Sequence, residues 1–218
     1  MASLIRSGIL VTAGILAGRL AGLLRDILLA RLFGLSPEAD VAMLALTLPD
    51  MLVGILLAGG FSVALVPRFR RLQDAEQRLL FWQASLLVLL AAVLVSVILV
   101  AAINPFLNLL APGLAVDQRS LATVAVSVAV WALPLAALSG ITTALLQSKE
   151  RFFLPACGTL IFNLILVLML ALDPGGGINS LLYGVLLAAA LRWLSQLAGV
   201  WRELRRFVVK GAFQIDGD

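Results

Sequence analysis

The sequence predicts an all-α polytopic membrane protein with six transmembrane helices. Hydrophobic residues make up 62% of the 218 residues and charged residues only 13%, and the mean hydropathy is +1.09. A soluble domain could not cover its surface with so few polar side chains. Six apolar stretches are each long enough to cross a bilayer, which takes about 20 residues of helix.

The six predicted spans follow one another with short connections. They are approximately residues 4–33, 41–66, 79–103, 121–147, 153–172 and 178–201. The first is too long for one straight crossing, so we expect it to tilt, bend or extend beyond the bilayer. Pro134 predicts a kink in the fourth span. Residues 1–210 therefore form the predicted membrane lobe, and residues 211–218 form a polar cytoplasmic tail.

The charges of the connections predict the orientation in the membrane. Eleven basic residues lie at the start of the first span, after the second and fourth spans, or after the sixth. The other side carries only two basic residues, Arg31 at the end of the first span and Arg119 after the third. By the positive-inside rule, both termini lie in the cytoplasm, and an even number of spans agrees with this orientation.

The sequence lacks the residues that most enzyme and metal sites need. It has no histidine and a single cysteine, Cys157, so a zinc site, a histidine-based triad and an intramolecular disulfide are excluded. We therefore predict no enzyme activity, no cofactor and no metal. The net charge of +4 does not indicate nucleic-acid binding, because most of the basic residues lie in short loops between spans.

The first span carries three charges at a depth where hydrocarbon tolerates few. Arg19, Arg25 and Asp26 lie inside it, and each such charge costs about 2.5–3.5 kcal/mol on insertion scales unless it is solvated or paired. Intramembrane charges usually mark a water-filled cavity or a substrate path. The simpler alternative is that Arg25 and Asp26 lie at the outer interface and Arg19 snorkels or is paired.

Three glycines lie in the same part of the first span. Gly14, Gly18 and Gly22 form two overlapping small-xxx-small steps, which allow another helix or a ligand to approach the backbone closely. We therefore interpret them as helix-packing glycines. Because glycine has no side chain, they leave space next to the charged residues.

A further carboxylate, Asp50, follows Pro49 in the second span. It could pair with Arg19 or Arg25 across the spans, or it could lie near a helix end and reach water. Arginines in a membrane cavity suit an anionic substrate that carries phosphate, because guanidinium binds phosphate with a planar fork and stays charged when desolvated.

Several segments match a known family in order and spacing. They are R-L-A-G-L-L-R-D (19–26), A-R-L-F-G (30–34), A-D (39–40), L-P-D (48–50), G-G-F-S-V-A-L-V-P (59–67), A-P-G-L (111–114), L-P (133–134) and S-K-E-R-F-F-L-P-A (148–156). On these residues the chain resembles the lipid II flippase family (MurJ, also called MviN) of the multidrug, oligosaccharidyl-lipid and polysaccharide exporter superfamily. The matches extend across nearly the whole chain, which makes the resemblance specific.

The resemblance implies one lobe of a flippase-like transporter of the bacterial cytoplasmic membrane. Such a protein moves a polyprenyl-diphosphate-linked cell-wall precursor, lipid II or a similar lipid, for peptidoglycan synthesis. It also implies that Arg19, Arg25, Asp26 and Asp40 occupy functional charged positions. We expect Asp50, which replaces a common asparagine of the family, to contribute to the charge of the same cavity.

Two departures from the family leave alternatives open. Val53 stands where the family has an arginine, and Ala58 stands where it has a glutamate. Family members also have fourteen spans, so this chain corresponds to the first lobe and needs a second lobe, from another copy or a separate subunit, unless it is a truncated product. The alternative functions are a non-transporting scaffold of an envelope-biogenesis complex and an exporter of another substrate.

Overall fold

The structure, a computed structural model, describes residues 2–57 and 60–210, and within those ranges it contains helices and no strand. The helices are, in chain order, α1 (Ala2–Phe33), α2 (Pro37–Leu57), α3 (Gly60–Arg71), α4 (Asp74–Ala101), α5 (Ile103–Leu110), α6 (Val116–Ala129), α7 (Ala132–Ser148), α8 (Phe153–Leu172) and α9 (Gly177–Lys210). The short 3₁₀-helix Pro174–Gly176 connects α8 to α9. The predicted all-α class is confirmed.

Five of the predicted spans correspond to helical segments that are long and apolar enough to cross a membrane. These are Gly8–Phe33, Asp74–Ala101, Gln118–Ser148, Phe153–Leu172 and Pro174–Trp201. The second predicted span corresponds to α2 and α3. Residues 58 and 59, which come between these two helices in the sequence, lie outside the described ranges. The predicted tail, 211–218, also lies outside the described residues.

The fourth predicted span consists of two helices rather than one kinked helix. α6 ends at Ala129 and α7 begins at Ala132, which places Pro134 in the first turn of α7, where its missing N–H breaks no helical hydrogen bond. The Val130 carbonyl, four residues before Pro134, accepts from the backbone N–H of Leu133 at 3.0 Å and from the Oγ of Ser96 on α4 at 3.2 Å. The break is thus stabilised by a buried hydroxyl from a neighbouring helix.

Two apolar clusters hold the helices together. The first joins α2, α6, α8 and α9 and contains Val41, Ala125, Leu166 and Leu181, which are completely buried. The second joins α3, α4, α7 and α9 around Phe69, which is also completely buried. A hydrogen bond also joins two helices of the second cluster: the buried Oε1 of Gln196 on α9 accepts from the hydroxyl of Ser139 on α7 at 2.7 Å.

α1 lies at the side of this bundle and packs chiefly against α8. Gly14, Gly18 and Gly22 form the contact: a Cβ added at Gly18 would lie 3.1 Å from the backbone nitrogen of Leu160. The small residues let the two backbones approach closely. Many apolar side chains on the rest of α1 are exposed, including Ile9, Leu16, Leu20 and Leu23, which are 56–63% exposed. One face of this helix is therefore uncovered.

The connection between α7 and α8 contains a backbone conformation that glycine favours. Glu150 is exposed and has a φ of 60°, the left-handed region that costs an L-residue about 1–2 kcal/mol. We expect Glu150→Gly to be more stable than Glu150→Ala by about 1 kcal/mol, because only glycine removes the Cβ clash. Apparent melting temperatures in detergent measure the difference. Equal melting temperatures for the two variants would contradict the assignment of strain to this residue.

Candidate functional site

The charged residues of α1 lie deep in the helix. At 1.5 Å per residue, Arg19 is about 16 Å from the Gly8 end of the apolar segment and about 21 Å from the Phe33 end. Its side chain is exposed and forms no hydrogen bond or ion pair with the described residues. A guanidinium at this depth needs water or a polar partner outside the described bundle.

Arg25 and Asp26 form an ion pair. Nη2 and Nε of Arg25 both donate to Oδ1 of Asp26, at 2.8 and 3.0 Å. The Arg25 side chain is 19% exposed and the Asp26 side chain 54% exposed. The arginine therefore lies against the bundle, and the carboxylate faces outward from it.

A third residue, which the sequence interpretation did not include, completes this group. Asn163 of α8 is buried, and its Oδ1 accepts from Nη1 of Arg25 at 2.9 Å. Its Nδ2 donates to the carbonyl oxygen of Gly18 at 3.0 Å. Asn163 thus joins the α1 backbone and the Arg25 side chain at the helix–helix contact.

The glycines of α1 make room for this amide. A Cβ added at Gly22 would lie 3.1 Å from Nδ2 of Asn163, and one at Gly14 would lie 3.4 Å from Sγ of Cys157. The structure therefore places α8, and not a ligand, against the glycine stripe. The exposed residues Arg19 and Asp26 remain available to a ligand or a partner.

An apolar cavity of about 310 Å³ lies beside Asp26, between the second half of α1 and the start of α2. Its lining consists of Asp26, Leu29, Ala30, Phe33, Gly34, Ala39, Ala42 and Met43. Apart from the Asp26 carboxylate, every lining side chain is apolar. Charge and apolar surface are therefore adjacent on this part of α1.

The structure does not bring the other predicted carboxylates into the Arg25 group. Asp40 is exposed in the first turn of α2, a position where a carboxylate interacts favourably with the helix dipole, and it forms no ion pair with a described residue. The side chains of Asp50 and Val53 and the whole of Ala58 lie outside the described residues. The proposed pairing of Asp50 with Arg19 or Arg25 therefore stays a prediction.

This arrangement is suited to binding an anionic group. Arginine has five N–H donors, and three of those of Arg25 point to Asp26 and Asn163. One donor remains on each terminal nitrogen, and such guanidinium donors can bind phosphate oxygens. In the part of the chain that the structure describes, no group of histidine, cysteine, aspartate and glutamate side chains could hold a metal ion.

Comparison with known proteins gives consistent matches. The family described as "Lipid II flippase MurJ" matches residues 29–215. "Probable lipid II flippase MurJ" of Aquifex aeolicus (strain VF5) is 28% identical over 177 residues, which cover 79% of this chain and 35% of that protein. "Lipid II flippase MurJ" of Thermosipho africanus (strain TCF52B) is 26% identical over 211 residues, which cover 95% of this chain and 44% of that protein.

A solved structure gives the same result for the fold. The chain matches "Lipid II flippase MurJ, inward closed conformation" with a TM-score of 0.79 and 24% sequence identity, over 94% of this chain and 44% of that one. This chain therefore spans less than half the length of the relatives that it matches.

Proposed function

Because the chain belongs to the lipid II flippase MurJ family, we propose that it forms one lobe of a flippase for a polyprenyl-diphosphate-linked cell-wall precursor. The lobe acts in the bacterial cytoplasmic membrane, with both termini in the cytoplasm. One observation carries the proposal: the Arg25 guanidinium is held at membrane depth with two N–H donors remaining, on the same helix as the exposed Arg19.

The chemistry of α1 supports a lipid diphosphate as the substrate. A diphosphate needs cationic donors at the depth of its path, and Arg19 and Arg25 supply them. Asp26 limits the net positive charge, and we assign the same contribution to Asp40 and Asp50. The apolar cavity beside Asp26 offers hydrocarbon-like surface next to the charges, as an amphipathic lipid requires.

A second lobe is the expected partner. The chain spans 35–44% of its relatives' length in the two sequence matches above, and the exposed face of α1 carries Arg19 at a depth where contact with lipid is costly. A second six-helix lobe, from another copy or a separate subunit, would cover this face and enclose a polar path. Transporters built from repeats place substrate sites between their lobes in this way.

Complementation tests transport. In a strain depleted of its own flippase, we expect the chain with its second lobe to restore growth, and Arg19→Ala and Arg25→Ala variants at equal membrane levels to restore it poorly. Full complementation by both variants would contradict the assigned role of the arginines.

A non-transporting membrane scaffold is the second candidate. Val53 and Ala58 replace an arginine and a glutamate of the family, and these changes favour a lobe that binds partners without moving lipid. The native mass in a lipid nanodisc separates the two functions: a lone monomer that retains no polyprenyl diphosphate supports the scaffold. Retention of a different substrate would indicate another exporter of the superfamily.

A further inference from the structure

The two exposed charges of α1 belong to one stripe of the helix surface. The stripe consists of Thr12, Leu16, Arg19, Leu23, Asp26 and Ala30, and all six residues are exposed. Because they recur at intervals of three or four residues, they lie within about 80° of one another around the helix axis. The glycines that contact α8 lie on another side of α1. The stripe therefore faces away from the bundle, with Arg19 and Asp26 in its middle.

An apolar depression lies on each side of these two charges. The cavity beside Asp26, here called the outer cavity, has a volume of about 310 Å³ and extends toward the end of α1, past Ala30. A shallow groove of about 520 Å³, here called the inner groove, lies nearer the start of the helix. It is lined by Gly8, Ile9, Thr12, Ala13 and Leu16. Of these five residues only Thr12 has a polar side chain, so both depressions suit hydrocarbon.

The spacing allows one lipid headgroup to serve both depressions. Leu16 in the inner groove lies about 5 Å from Arg19 along the helix axis, and Asp26 at the outer cavity lies about 10 Å from it in the other direction. The Asp26 carboxylate repels a phosphate, so the outer cavity favours the chain of an anionic lipid over its headgroup. A diphosphate bound at Arg19 can therefore have its adjoining chain segment on either side.

Reversal of a lipid exchanges the side of the headgroup on which the chain lies. A lipid that enters from the inner leaflet has its chain on the outer side of its headgroup. After reversal, the chain lies on the inner side. In a path that also carries charges and water, the chain needs apolar surface in both orientations. A helix that supports reversal therefore requires apolar surface on both sides of the headgroup site, which is the arrangement on α1.

We propose that α1 carries two alternative binding sites for the prenyl segment next to the diphosphate, one in the outer cavity and one in the inner groove, with the headgroup at Arg19 between them. A lipid that arrives from the inner leaflet uses the outer cavity, and a lipid that has reversed uses the inner groove. The inference rests on the proposed function, which supplies the lipid diphosphate and places the start of α1 on the cytoplasmic side.

Photolabelling tests the proposal. Nanodiscs that contain the full chain are assembled with an undecaprenyl diphosphate analogue in both leaflets, with a diazirine on the prenyl unit next to the diphosphate. The labelled peptides are identified by mass spectrometry after illumination. We expect label in two separate segments of the wild type, residues 8–16 and residues 29–43. This pattern needs no substitution, so the test remains valid even if a variant does not fold.

Three matched substitutions assign the two labels. Ala13→Trp fills the inner groove and Ala30→Trp fills the outer cavity, while Ala91→Trp places the same side chain on α4, away from both. All three alanines are exposed. We expect each α1 variant to lose the label at its own segment about tenfold, because the indole takes the volume of the chain. Total lipid retention should fall only about twofold in each, since the other orientation still binds.

A transport readout separates these variants from a simple loss of affinity. Reversal needs both orientations, so we expect Ala13→Trp and Ala30→Trp each to restore growth poorly in the complementation assay, and Ala91→Trp to restore it like the wild type. Apparent melting temperatures show whether each variant is folded.

Three results would overturn the proposal while the proposed function stands. The first is a wild type that retains the lipid but is labelled in only one of the two segments, or in neither. The second is a loss of both labels in each α1 variant, which indicates one continuous site. The third is labelling by Ala13→Trp or Ala30→Trp that equals that of Ala91→Trp. A wild-type chain that retains no undecaprenyl diphosphate would remove the proposed function as well.

Discussion

Arg25→Ala is expected to weaken the retention of undecaprenyl diphosphate about 10- to 100-fold. This is the loss in affinity that corresponds to the free energy of a hydrogen bond between charged groups. The substitution removes the two donors that Arg25 keeps after contacting Asp26 and Asn163. It also leaves Oδ1 of the buried Asn163 without its partner, which costs about 1–3 kcal/mol of stability. Native mass spectrometry in nanodiscs measures the retention of the lipid, and thermal unfolding measures the stability.

Two variants separate charge from geometry in this result. Arg25→Lys keeps the positive charge and loses the planar fork, so we expect binding between that of the wild type and that of Arg25→Ala. Asp26→Asn removes the competing carboxylate, so we expect binding at least as tight as that of the wild type. Wild-type retention by Arg25→Ala, with Asp26→Asn weakened instead, would assign recognition to the carboxylate and contradict the account.

Gly18→Leu is expected to separate α1 from α8. Even the first carbon of a side chain at this position would lie 3.1 Å from the Leu160 backbone nitrogen and 3.3 Å from Cβ of Thr159. Backbone atoms cannot rotate away as a side chain can, so the helices must move apart. We expect a loss of about 1–3 kcal/mol or more from overpacking, together with the hydrogen bond from Asn163 to the Gly18 carbonyl.

Gly8→Leu is the matched control on the same helix. A Cβ at Gly8 has no atom within 4 Å, and leucine favours a helix over glycine by about 0.8–1 kcal/mol. Melting temperatures in detergent should therefore fall for Gly18→Leu and stay level or rise for Gly8→Leu. Equal effects of the two substitutions would show that the close contact with α8 does not stabilise the lobe.

The sequence predicts long apolar helices well because lipid imposes a simple rule on composition. The fifth predicted span, 153–172, coincides with α8, and the family resemblance on charged and glycine motifs is confirmed by the family match. Helix ends outside the apolar region are less predictable. α9 continues to Lys210, beyond the predicted end at residue 201, since a helix that leaves the bilayer need not stop there.

The break in the fourth span shows what hydropathy cannot supply. Pro134 correctly indicates an irregular helix, but the break lies at 130–131, because proline is compatible with the first turn of a new helix. The hydroxyl of Ser96 that accompanies the break comes from another helix. A contact of this kind depends on the packing of α4 and has no local sequence signal.

The candidate site was predicted only in part. Arg25 and Asp26 are adjacent in sequence, and their ion pair needs no tertiary information. Asn163 is separated from them by a large part of the chain and lies in a run that hydropathy treats as simply apolar. Its signal is a lone amide inside that run, which in lipid requires a partner. Sequence alone cannot name that partner, because the α1–α8 contact arises from the fold.

The retention of undecaprenyl diphosphate compared with undecaprenol by the wild-type chain tests the central claim most directly. The two lipids share the hydrocarbon chain and differ in the diphosphate, so native mass spectrometry of nanodiscs that contain equal amounts of both isolates headgroup recognition. The account predicts selective retention of the diphosphate lipid, which is lost in Arg25→Ala. Equal retention of the two lipids would contradict it.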